Sequence, residues 1–143
     1  MRNECGIFDT PALLILERVA MAGHRDLPNR IGALELTFDA LAVLISVDID
    51  SDTLVIEPSV GMSDDYNHPL PSDFWRPMIG QYLIEAWSMQ NSRGYVDALQ
   101  LAFRPQSNAG PTTTVQLVSI ASHIDASELR VVRRAGEADG PRV

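Results

Sequence analysis

Asp48-Ile49-Asp50-Ser51-Asp52 sets three carboxylates at alternate positions, the D-x-D-x-D opening of a calcium-binding loop. Such a loop also needs glycine at its sixth position for the turn and a bidentate glutamate at its twelfth. Those positions are Thr53 and Ser59 here, so a solvated turn is expected and no metal. The other candidate ligands, His24, His68, His123 and Cys5, are isolated from one another, and no zinc spacing arises. Each histidine is therefore expected to be structural. Ser119, Ser122 and His123 lie close together, as a nucleophile and base might, but neighbours along a strand point to opposite faces. No G-x-S-x-G elbow supports them, and Cys5 sits in an N-terminus expected to fray. Asp97 with Asp125 is a carboxylate pair that acid–base chemistry would need to bring together. Gly61, Gly80, Gly94 and Gly110 are scattered, so no phosphate cradle forms. The expectation is a protein that is not an enzyme and takes no cofactor.

Charge is more informative than any of these motifs. Between Ile31 and Trp75 the chain carries nine carboxylates and no Lys or Arg: Glu35, Asp39, Asp48, Asp50, Asp52, Glu57, Asp64, Asp65 and Asp73. The other segments nearly balance, at 0 for residues 1–30, +2 for 76–134 and −1 for 135–143, so this block accounts for the net −8. Such a field repels nucleic acid and attracts cationic surfaces. Arg130, Arg133 and Arg134 form a local basic patch, which reads as strand-edge charge that discourages aggregation. All eleven basic residues are Arg, which reads as compositional bias. A single cysteine fits a reducing compartment, and neither a signal peptide nor a membrane-spanning run is apparent. The expected location is the cytoplasm, with no membrane partner.

The elements that must position these residues are mostly strands. Ile31–Phe38 places Leu34, Leu36 and Phe38 on one face, and Leu41–Ile49 alternates strictly. Asp39-Ala40 is expected to be the tight turn between them, and Asp50–Asp52 the next turn. Thr53–Glu57 then forms a short strand ended by Pro58, completing a meander in which the carboxylates from Glu35 to Glu57 occupy solvent faces and turns. Residues 12–22 remain open between helix, with Thr10 and Pro11 as its start, and strand. Residues 81–90 are equally open. Ser59–Pro71 is a long acidic loop, followed by a short helix through Phe74 and Trp75 that Pro77 and Gly80 limit. Asn91–Gly94 is a turn; Tyr95–Phe103, Thr112–Ile124 and Leu129–Arg134 read as strands.

The stretch W-S-M-Q-N-S-R-G-Y-V-D-A-L-Q-L-A-F (Trp87–Phe103), followed by T-V-Q-L-V-S-I-A-S-H-I, resembles a group of small bacterial proteins of unknown function over Ile79–Arg134. The resemblance implies a mainly antiparallel β fold with Trp87 and Tyr95 in or near a hairpin, and so favours strand for residues 81–89. It implies no activity. The expected fold is α+β and predominantly antiparallel β: a strongly twisted sheet or partial barrel of about 7–8 strands with one or two short helices. Residues 1–134 are expected to form one domain and 135–143 a disordered tail.

Tyr66, Phe74 and Trp75 flank the acidic loop, and aromatic anchors ringed by carboxylates suit a basic protein surface. The expected partner-binding residues are Asp50, Asp52, Asp64, Asp65, Tyr66, Asp73 and Trp75, although Phe74 and Trp75 could instead plug the core. The expected role is protein binding or inhibition, as an immunity protein acting on a cationic toxin or nuclease. Two alternatives stand beside it. One is a small-ligand or enzyme pocket near Trp87, Tyr95, Asp97 and His123; the other is a structural homo-oligomeric subunit, monomer or homodimer being open.

Overall fold

The computed structural model describes residue 8 and residues 13–62, 69–107 and 110–129. Nine strands run through them: β1 (Leu14–Gly23), β2 (Ile31–Phe38), β3 (Ala42–Asp48), β4 (Thr53–Pro58), β5 (Pro69–Leu70), β6 (Tyr82–Gln90), β7 (Val96–Arg104), β8 (Thr113–Ile120) and β9 (His123–Leu129). All pairings are antiparallel, and β1-β2-β9-β8-β7-β6 closes on itself as a six-stranded barrel. The closures are brief, Leu14 and Ile15 against Leu83 and Tyr82 on one side and Ile31 against Ile124 on the other. β3 and β4 extend the sheet from β2, and β5 adds to β1. β4 also lies against β7 and β8, so the extension folds over the barrel.

The antiparallel β fold is as expected, but the short helices are not. The segment after the acidic loop is a six-residue 3-10 helix, Asp73–Met78, with Pro77 inside it. Within the segment 12–22 the described residues form strand: β1 pairs with β2 from Leu16 to Gly23, with β6 at Leu14 and Ile15 and with β5 at Met21 and Ala22. β1 and β6 each carry a bulge, between Leu16 and Arg18 and between Leu83 and Glu85. A bulge inserts one residue and reverses which parity faces the core. Buried positions therefore run Leu14, Leu16, then Val19, Met21 in β1, and Leu83, then Ala86, Ser88 in β6. The resulting three-residue steps imitate a helical face, which is why both segments read ambiguously.

The expected single strand over Thr112–Ile124 is two. β8 and β9 are joined by Ala121 and Ser122, both at positive φ (48° and 66°), the handedness of a tight type I′ turn. Neither residue is the Gly, Asn or Asp that usually marks this geometry. The expected strand over Leu129–Arg134 meets only the end of β9, and residues 130–143 lie outside the described residues.

Trp75 is 0% exposed and meets Phe103 edge-to-face at 6.5 Å between ring centres. Its Nε1–H has no acceptor, a cost of about 1–3 kcal/mol. Burying so large a side chain offsets that with roughly 4–6 kcal/mol. After the 3-10 helix, Gly80 N–H donates to the Leu16 carbonyl and Leu16 N–H to that of Gln81, which leads the chain into β6. No helix among the described residues is long and apolar enough to cross a membrane.

Candidate functional site

The β3–β4 turn does not gather its carboxylates around a common point. Asp48 Oδ1 accepts from the Asp50 N–H at 3.0 Å, a local turn bond, and the Asp50 side chain stays exposed. Asp52 leaves the turn altogether. Its Oδ1 accepts from Ser122 N–H at 2.8 Å and its Oδ2 from Ala121 N–H at 3.1 Å, while its own carbonyl accepts from Ser119 Oγ at 2.8 Å. Asp52 itself sits at φ 52°. The two N–H groups of a left-handed turn thus meet one carboxylate, so Asp52 braces β8–β9. Among the described residues no group of three or more His, Cys, Asp or Glu could hold a metal ion.

His24 extends this brace. Its Nδ1 accepts from the N–H groups of Asp26 (3.0 Å) and Leu27 (3.2 Å), so the ring proton sits on Nε2 and points to Ser122 Oγ at 3.2 Å. A Cβ at Gly23 would collide with the Pro28 carbonyl, so this loop closes tightly onto the buried imidazole. Ser119 and Ser122 are both spent on structural bonds, and neither meets His123 in a nucleophile–base pair.

Of the residues expected to share a pocket, Trp87 lies in β6 opposite Gln100, His123 opens β9 opposite Ile120, and Asp97 is the extra residue at the register shift where Met89 pairs with Ala98 and Gln90 with Val96. Asp125 pairs with Val118, which pairs with Ala98. Tyr95, expected at the start of its strand, lies before β7 and is 43% exposed. It borders a cleft of about 370 Å³ with Asp50, Ser51, Asn91, Ser92 and Arg93. Asn91 shapes that wall, accepting from Arg93 and Tyr95 N–H and donating to Asp97 Oδ1.

Of the expected docking residues, Asp73 is exposed and pairs with Arg76, whereas Trp75 is sealed in the core and offers no surface to a partner. Asp64, Asp65 and Tyr66 lie outside the described residues, as do Cys5, His68, Arg130, Arg133 and Arg134.

One carboxylate departs from the expected solvent role. Glu35 is 9% exposed and lines a second cleft, of about 300 Å³, with Arg18, Ala20, Met21, Ala22, Met62 and Pro69. Ala20, Glu35, Leu44 and Glu57 are successive cross-strand partners, so they share the outer face of β1–β4. Ser59 Oγ donates to Glu35 Oε2, and Arg18, its side chain 70% exposed, comes only to 4.0 Å of Oε1. Alternation along β2 gave no sign of this, because the cover comes from residues beyond β4.

Residues 1–133 match the family of unknown function DUF6334. The chain belongs to that family. The match extends well before Ile79, where the resemblance noted in the sequence began. No curated protein and no solved structure matches the chain.

Proposed function

We propose that this DUF6334 member is an acidic binding protein that inhibits a cationic protein, with a nuclease-like toxin as the target and immunity as the role. The observation that carries this reading is the outer face of β1–β4. Glu35 and Glu57 share one cross-strand row there, the segment bearing Asp64 and Asp65 connects β4 to β5, which pairs with β1, and Asp73 follows β5 in the 3-10 helix. A cleft built to take a phosphate backbone accepts carboxylates in its place, and charge of opposite sign accelerates the encounter. Asp50 adds an exposed carboxylate at the neighbouring turn.

The test is capture of the partner from the native host, followed by association kinetics at about 0.05 and 0.5 M salt, which brackets strong and weak screening. The expected outcome is an association rate that falls at least tenfold with salt, on the order of steered complexes. The variant carrying Asp64→Asn and Asp65→Asn should associate more slowly at low salt. A salt-insensitive rate, or no effect of that variant, overturns the reading.

A further inference from the structure

We infer that the cleft over Glu35 is a receptor for one lysine or arginine side chain of the partner, an inference that rests on the cationic partner proposed above. The cleft has the two parts such a side chain needs. Ala20, Ala22, Met62 and Pro69 supply short or apolar walls for an alkyl stem, and the Glu35 side chain, 11% exposed, lines the cleft with them. Long cationic side chains bury their stems against apolar surface and keep their charged heads where charge is met. Glu35 meets that requirement: Ser59 Oγ donates to Oε2, while among the described residues Oε1 has the loose approach of Arg18 at 4.0 Å. A buried carboxylate with so weak a counter-charge gains more from an incoming cation than an exposed one does. Arg18, mostly exposed, holds the place that the partner's cation takes.

The experiment needs no partner, which separates this inference from the reading it rests on. The full chain is titrated with lysine and arginine blocked at both backbone ends, and the methyl resonances of Ala20, Ala22 and Met62 are followed by NMR. Blocked norleucine serves as the uncharged control and a free alkyl diamine as the small-molecule control. Saturable shifts with the blocked cationic residues are expected, with none from norleucine. Glu35→Gln should weaken binding about tenfold or more, the loss of one charge-assisted contact. Ala20→Leu should fill the cleft and abolish the shifts, and Arg18→Ala should strengthen them by removing the competitor. Each variant's remaining spectrum reports its fold. Absent shifts, shifts unchanged in Glu35→Gln, or shifts from the free diamine alone overturn the inference. In those cases the salt test of acidic docking still stands by itself.

Discussion

At the β3–β4 turn, the Asp52 carboxylate accepts two backbone N–H groups from a turn about seventy residues away in sequence. On the outer face of β2, Glu35 is more deeply covered yet has one hydroxyl donor and a distant guanidinium. Both belong to the same acid-only stretch, and their charge is put to opposite uses. Asp52 has each carboxylate oxygen committed to a backbone N–H. Glu35 is held in place but not neutralised. Net charge alone would rank the two residues equally as docking candidates; bonding separates them.

Four substitutions sharpen this contrast, in descending order of effect. Trp75→Ala, in the same stretch but wholly in the core, should cost about 3–5 kcal/mol in urea unfolding. A loss much below that range would mean that the indole is less embedded than its burial shows. Asp52→Ala should cost about 2–4 kcal/mol, since it removes an ionised acceptor from two turn donors. Ala121→Gly in that background should recover about 1 kcal/mol by relieving the left-handed backbone. If the glycine restores nothing, the turn is not where the loss arises. Glu35→Gln should change stability by less than about 1 kcal/mol, because removing a weakly paired buried charge also removes its desolvation cost. A loss as large as that of Asp52→Ala would erase the distinction between the two acids.

The strands from Ile31 to Glu57 and the turn at Asn91–Gly94 were legible because period-two alternation and turn residues agree there. Residues 12–22 and 81–90 were not, because the bulges after Leu16 and Leu83 shift the buried parity and leave steps of three. The β8–β9 turn was hidden because Ala121 and Ser122 carry no turn chemistry of their own; Asp52 supplies it from elsewhere. Glu35 illustrates the same difficulty at the candidate site. Its exposure depends on Ser59, Met62 and Pro69 lying over β2, a tertiary contact that no local pattern in Ile31–Phe38 contains.

The Asp52 brace also constrains the order in which the chain assembles. Hairpins are ordinarily among the earliest structures to form, because their turns are local and their loop closure is cheap. The hairpin of β8 and β9 lacks that advantage: its turn is unfavourable until a residue from the other half of the molecule arrives. The expected consequence is that the last two strands register after the β1–β4 meander, which low φ-values for substitutions at Asp52 and in the β8–β9 turn would check.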